Sequence, residues 1–420
     1  MAIALHPTRG LTLLLILLTP HWMVGYSLLT HEQIVDLAWA EHIEPLLRRQ
    51  FPDATDDDLL EAHAYAYGGC VIQDLGYYPL GSKDFSNLVH YVRSGDFVLA
   101  LLRDAGDIDE YAFALGALAH YVSDTNGHPT VNRAVALEYP KLRARFGDDV
   151  TFEENHKAHI RTEFGFDVVQ VAKNRYSSDS YHRFIGFKVS KPLLQQAFRE
   201  TYGIELGDVF GNVDLSIGTY RHSVSTIIPE MTRVALLTKR ADMVRETPGF
   251  TERKFLYRLS RTEYEKEWGK QYQRPGLGAR VLAFFTRILP RIGPLKTLDF
   301  TLPSSTTEDL YIRSVNTTVD AYNAELASLQ HGKPLSLPNR DFDTGKSTKP
   351  GEYSLADETY AKLVGKLWTR HFDLVTPELQ ANIVAFYAGF PRIQPDNFSP
   401  DQWNKVVSEV DDLRGWSPGQ

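Results

Sequence analysis

Histidine and acidic side chains recur at helical spacing in one stretch of this chain. His120, Asp124 and His128 stand four residues apart, and His159 with Glu163 repeats the step. Residues four apart share a helix face, so a ring nitrogen and a carboxylate can be offered together to one ion. With 14 His and 53 acidic residues in 420, about 1.8 His-x3-acid pairs are expected by chance and two occur, so one pair carries little information. The triple His-x3-acid-x3-His is expected only about 0.06 times, which makes it a signal. Zinc accounts for the triple and the pair together: it takes imidazole and carboxylate ligands at about 2.0–2.2 Å and keeps an open position when catalytic. A buried His–Asp hydrogen-bonded pair is the weaker reading, because both groups are costly on an apolar helix without a strong partner. The chain has one cysteine, Cys70. That excludes an internal disulfide and cysteine-based zinc sites, leaving His, Asp, Glu and main-chain groups as ligands.

The elements that must carry these residues read as helices. Thr30-His31-Glu32-Gln33 is a capping-box pattern before apolar Ile34, Leu37, Ala38 and Leu47, and Thr55 with Asp58 opens a second helix towards Gly68-Gly69. A third, very apolar helix is expected from Asp107 to about Thr125, central and buried, and a fourth around 153–171. Further helical patterns cover 191–202, 223–244, 307–329, 355–372, 377–389 and 402–413. Strand signals are sparse, and no period of 20–50 residues repeats. The expected class is all-α, a multi-helix domain with additional C-terminal helices. Loops rich in Pro, Gly and Asn fall at 270–278, 290–305 and 331–352, the first being the best boundary.

Composition narrows the function classes. The chain is 43% hydrophobic and 23% charged, with a formal net charge of −8, an ordinary globular mixture. With no basic run, it is not a protein that binds by broad neutralisation of a nucleic-acid backbone, although a metal site that cuts such a backbone is compatible with it. Leu11–Leu18 is an apolar run too short to span a bilayer, which takes about 20 residues. It follows Arg9 and precedes Thr19-Pro20 and Gly25, the layout of a secretory signal peptide. The expectation is an exported protein, periplasmic or secreted, whose mature chain begins near Tyr26. An uncleaved N-terminal anchor is the alternative.

The ordered set Tyr26-Ser27-x3-His31, Asp74, His90, His120-x3-Asp124, His128 and His159-x3-Glu163 resembles the zinc-dependent phospholipase C family. That family shares its fold with the single-strand-specific fungal nucleases. The resemblance covers roughly residues 26–170 and implies up to three zinc ions. Asp74, His90, His120 and Asp124 would hold the first, and His128, His159 and Glu163 the second. His31, a bridging Asp124 and the main chain of Tyr26, through its free α-amine, would hold the third. A free α-amine has a pKa near 7.7–8.0, so a cation can deprotonate and use it. Two features depart from the pattern: Tyr26 stands where Trp is usual, and His128 follows Asp124 by four residues rather than six. The shorter step is similar to that of the animal glycosylphosphatidylinositol-specific phospholipase D, whose propeller repeats have no counterpart here.

The implied activity is phosphodiester hydrolysis on a phospholipid, releasing diacylglycerol and a phosphorylated head group, with Asp74 orienting the attacking water or accepting its proton. Two other readings stand beside it: a single-strand nuclease or 3′-nucleotidase on the same cluster, and a non-enzymatic, zinc-stabilised helical binding domain. Tyr77, Tyr78, Phe85 and Tyr91 flank the site in sequence and suit either stacked bases or an acyl cleft. His156 and His63 read better as surface or core residues than as ligands, and Asp74 is preferred to Asp84 on its spacing to His90. The expected organisation is a signal peptide at 1–25, a catalytic domain at 26–245 and a C-terminal helical region at 246–420. Within the last, residues 277–296 carry Arg280, Arg287 and Arg291 opposite Leu282, Phe285, Leu289 and Ile292, a pattern suited to peripheral membrane contact or to packing on the catalytic domain. No obligate protein partner is implied.

Overall fold

The computed structural model describes residues 28–172, 186–224, 302–390, 395 and 397–417. Tyr26, the N-terminal apolar run, the 223–244 pattern beyond residue 224 and the 277–296 stretch lie outside the described residues. In chain order the helices are α1 (Leu28–Ala38), α2 (Glu44–Gln50), α3 (Asp56–Gly69), α4 (Lys83–Tyr91), α5 (Ser94–Asp104), α6 (Ile108–Glu138) and α7 (Pro140–Phe146). They continue with α8 (Phe152–Ala172), α9 (Lys191–Tyr202), α10 (Val213–His222), α11 (Ser305–Gln330), α12 (Ser354–Thr369), α13 (Pro377–Ala388) and α14 (Pro400–Gly415). A π-turn at Trp39–Ile43 joins α1 to α2, and a 3-10 turn at Ile72–Tyr77 follows α3. Among the described residues there is no strand, only an isolated bridge between Arg340 and Ser347. The all-α expectation holds.

α6 is the axis of the molecule. Its first half is apolar on all sides, and the helix is buried along most of its length, from Tyr111 to Ala136, the pattern of a helix enclosed by others. It starts where expected, with the Asp107 side chain accepting from the Glu110 N–H at 2.9 Å. It does not stop near Thr125. The helix runs 31 residues, through Pro129, because α8, α11 and the 339–348 loop bury it on both sides of the proline. The turn at Gly345 (φ +68°) seats against the gap: a Cβ there would lie 2.3 Å from the Thr125 carbonyl oxygen. Continuity through Pro129 keeps His120, Asp124 and His128 on one face.

α3 packs against α6 more closely than ordinary side chains permit. A Cβ on Gly69 would come within 2.0 Å of the Phe113 carbonyl oxygen, and one on Gly116 within 2.1 Å of that of Ala66. These reciprocal glycines bring the C-terminus of α3 against the first third of α6. The Thr55–Asp58 capping box forms as read, and the helix ends at Gly69.

The first helix differs from its sequence pattern. Among the described residues α1 already begins at Leu28, so Thr30 lies inside it and does not cap it. Its hydroxyl bonds instead to the Asp167 carboxylate (3.1 Å) and Tyr311 (2.7 Å). Leu37, one of the apolar positions of the pattern, is 52% exposed. One apolar core extends through the described residues from Leu28 to Leu413, so α11–α14 share it with the helices that precede residue 224. No helix among the described residues is long and apolar enough to cross a membrane.

Candidate metal centre

Five elements converge on one buried point. α1 supplies His31, the 3-10 turn Asp74, α4 His90, α6 His120, Asp124 and His128, and α8 His159 and Glu163. All eight are almost fully buried. Their ligand atoms fall into three groups in which every atom lies within 4.8 Å of the others: His31/His120/Asp124, Asp74/His90/His120 and His128/His159/Glu163. The structure therefore brings together every described candidate, and Tyr26 lies outside the described residues.

Asp124 is the hub. Its Oδ2 lies 3.0 Å from His120 Nε2 and 3.5 Å from His90 Nε2, while its Oδ1 lies 3.4 Å from His31 Nε2 and 3.6 Å from His128 Nε2. Asp74 Oδ1 is 3.4 Å from His90 Nε2, and Glu163 Oε1 is 3.1 Å from His159 Nδ1 and 3.8 Å from His128 Nε2. Donors about 2.1 Å from a tetrahedral zinc are separated from one another by about 3.4 Å. The observed separations straddle that edge length and mostly exceed a good hydrogen bond. In keeping with this, His120 Nε2, His159 Nδ1, Asp74 Oδ1 and both carboxylate oxygens of Asp124 and Glu163 are buried with no well-formed hydrogen bond. Groups of this kind are costly to bury unless something charged completes them. The donor set of imidazoles and carboxylates fits zinc.

The opposite side of each ring is tied down. His90 Nδ1 meets the Ser86 carbonyl at 2.7 Å and His120 Nδ1 that of Cys70 at 2.9 Å. His159 Nε2 meets Asn132 Oδ1 at 2.9 Å and His128 Nδ1 meets Asp343 Oδ1 at 3.1 Å. Fixing one nitrogen aims the other, the usual arrangement behind a metal-ligating histidine. Burial and the carboxylates together set the charge of these rings. Burial works against a proton on His90, but Asp124 and Asp74 together outweigh it and push the ring up to about 9. His128 is pushed up to about 10, with Asp124 and Asp343 overcoming burial. Burial pushes His31 down to about 3, with His120 adding to the effect. Burial likewise opposes ionisation of Asp124, yet His120 and His128 hold its carboxyl well below the usual range.

Residues 30–212 match the family model described as zinc dependent phospholipase C. Over this stretch, less than half of the chain, the protein is similar to the zinc-dependent phospholipase C family. No curated protein and no solved structure matches the chain. All eight described ligand candidates fall inside the matched stretch.

Several neighbours of the candidate metal centre resolve differently from their sequence pattern. Tyr78, Phe85 and Tyr91 are buried: Tyr78 meets Tyr220, Phe85 packs between Phe198 and Phe210, and the Tyr91 hydroxyl donates to Asp343 at 2.9 Å. They do not line an open cleft. Tyr77 and Phe152 stand next to the ligands, their rings 5.8 Å from His90 and 5.6 Å from His159. His63 stacks on Trp39 and meets Asp36 at 3.0 Å, away from the cluster. Asp84 faces Lys362 and Lys366 at the surface, which supports the preference for Asp74. Sequence reasoning missed Phe342 and Asp343. They lie on a loop tethered to the start of α5, where Asn339 Oδ1 accepts from the Gly95 and Asp96 N–H groups at 3.0 and 3.1 Å. Phe342 packs 5.0 Å from His90 and 6.0 Å from His120, ring centre to ring centre.

Proposed function

We propose that this protein is a zinc-dependent phosphodiesterase that hydrolyses phospholipids, releasing diacylglycerol and a phosphorylated head group. The observation that carries the reading is Asp124, buried among four imidazoles whose nitrogens stand at metal-sharing distances from its two oxygens. His31, Asp74, His90, His120 and Asp124 would hold up to two ions, with the main chain of Tyr26 completing the set after cleavage near Gly25 in an exported chain. His128, His159 and Glu163 would hold another. When bound, zinc supplies Lewis acidity towards phosphate oxygens and a water of pKa about 7.

The residues supply the rest. Asp74 Oδ1, buried and without a hydrogen bond, orients the water that attacks phosphorus and accepts its proton. The phosphorus–oxygen bond to glycerol breaks, and the departing alkoxide takes up a proton to leave as diacylglycerol. The three-group arrangement sets one carboxylate-rich side, around Asp74 and Asp124, against a His128/His159/Glu163 side that receives the phosphate. Tyr77 and Phe152 flank both sides with aromatic surface and keep water out. Peripheral membrane contact through residues 277–296 is part of the proposal, supported by the helical spacing of Arg280, Arg287 and Arg291 in the sequence.

Purified protein should release water-soluble phosphate ester and diacylglycerol from phosphatidylcholine vesicles, and lose that activity on chelation. Digestion of single-stranded DNA with intact vesicles would transfer the site to a nuclease. Zinc binding with neither activity would make the cluster a structural element of a binding domain.

A further inference from the structure

The His128/His159/Glu163 group is oriented from a part of the chain well beyond the residues that match the family. Asp343 lies on the 339–348 loop and is 2% exposed. Its Oδ1 is 3.1 Å from His128 Nδ1. Its Oδ2 accepts from the Tyr91 hydroxyl at 2.9 Å and from the Tyr353 hydroxyl. Its main-chain oxygen accepts from Asn132 Nδ2 at 2.7 Å. Because that nitrogen of Asn132 is committed to donation, Asn132 Oδ1 is an acceptor, and His159 Nε2 at 2.9 Å must carry the hydrogen. His159 Nδ1 is then the lone-pair nitrogen facing Glu163. The same logic applies to His128: a carboxylate offers only acceptors, so Nδ1 carries the hydrogen and Nε2 is left for a cation.

We propose that Asp343 is a positioning residue of the metal centre. Its carboxylate fixes the ligating tautomer of His128, and its carbonyl fixes that of His159 through Asn132. The residues after 302 thus complete the orientation of a ligand group that the matched stretch supplies. The inference rests on reading the cluster as a zinc site.

Asp343→Asn tests it with little change of shape. The two tyrosine hydroxyls draw the amide oxygen towards themselves, which turns the NH2 group onto His128 Nδ1. That nitrogen must then accept, the hydrogen moves to Nε2, and Nε2 can no longer ligate; a wrong tautomer of this kind is known to disable a histidine site while leaving its geometry intact. Zinc content by elemental analysis and affinity by chelator competition, both on the full chain, should show one site weakened about 10–100-fold. Adding Tyr91→Phe and Tyr353→Phe frees the amide to turn its oxygen to His128, so the triple variant should regain part of the lost affinity. A purely structural role predicts further loss instead. Wild-type affinity and stoichiometry in Asp343→Asn would overturn the proposal alone, whereas a wild-type chain that binds no zinc would overturn the cluster reading on which it rests. Imidazole nitrogen NMR of the zinc-loaded wild type needs no variant to fold: it should show hydrogen on His128 Nδ1, and hydrogen on Nε2 refutes the proposal.

Discussion

His31 and His120 stack face to face, their ring centroids 4.4 Å apart and their planes within 10° of parallel. One ring enters on α1 and the other on the central helix, and both turn Nε2 towards Asp124. Burial, reinforced by His120, pushes His31 down to about 3, so it is neutral and in its ligating form at physiological pH. His90 and His128 are instead pushed up to about 9 and about 10, after the carboxylates overcome burial. A divalent cation would displace the protons they hold, so zinc uptake at neutral pH should release protons.

The ligand groups overlap at His120, which belongs to both His31/His120/Asp124 and Asp74/His90/His120. His120→Ala should therefore remove more zinc than His31→Ala. Asp124→Ala should abolish zinc binding on that side and reduce phosphodiesterase activity by more than about 100-fold, beyond the range of outer-shell losses. Elemental analysis of the three variants, set beside vesicle hydrolysis, checks the ranking. A fully active Asp124→Ala protein without zinc would refute the site.

The glycine contact between α3 and α6 has a functional consequence. Gly116→Ala places a methyl group 2.1 Å from the Ala66 carbonyl oxygen and within 2.8 Å of the Cys70 nitrogen. The helices must separate, which costs about 1–3 kcal/mol in a well-packed core. Separation also carries the Cys70 carbonyl away from His120 Nδ1, so zinc affinity should fall together with the urea midpoint. Gly218→Ala, with open space around the added atom, is the control and should leave zinc affinity unchanged.

The candidate ligands were legible because their geometry is written into local spacing. His120, Asp124, His128 and the His159–Glu163 pair lie at helical intervals, and α6 and α8 both form around them. The orienting groups have no such signature. The carbonyls of Ser86 and Cys70 belong to every residue type, and Asp343 reaches His128 through one long-range contact from a stretch that reads only as a loop. The extent of α6 was misread for a related reason. Asn126-Gly127-His128-Pro129 carries local breaking signals, and tertiary burial of both flanks overrides them. Thr30 shows the converse: a local capping pattern lost its hydroxyl to Asp167, 137 residues away.

Asp341 gives a pH dependence outside the ligand set. Burial, with Asp343 nearby, pushes its carboxyl from 3.8 up to about 6, although Thr344 donates to it. A raised acid is favoured folded when protonated, so its contribution is fully present below about pH 4 and is lost as the pH rises through 6. At pH 7 the ionised group costs at most about 3 kcal/mol, from 1.36 kcal/mol per pH unit of displacement. Asp341→Asn keeps an acceptor for the Thr344 N–H and removes the charge. It should raise stability at pH 7 by about 1–3 kcal/mol and by nothing near pH 4. Thermal denaturation of both proteins at the two pH values decides this; a gain of equal size at both would sink the assignment.

Asp167 links the far end of α8 to the start of α1. Its Oδ2 accepts from the Leu29 N–H at 3.0 Å and its Oδ1 from the Thr30 hydroxyl at 3.1 Å, immediately before His31. Burial pushes its carboxyl well above the usual range despite these bonds, and asparagine keeps its shape and one oxygen acceptor without the charge. Asp167→Asn should then be nearly silent, whereas Asp167→Ala leaves the Leu29 N–H buried and unsatisfied at a cost of about 1–3 kcal/mol. Because His31 follows directly, the alanine variant should lose zinc from the His31/His120/Asp124 group while the His128/His159/Glu163 group, further back on α8, keeps its ion. Urea denaturation gives the first quantity and zinc stoichiometry the second. Equal loss from both groups would mean that α8 as a whole had shifted and that Asp167 does not act through His31.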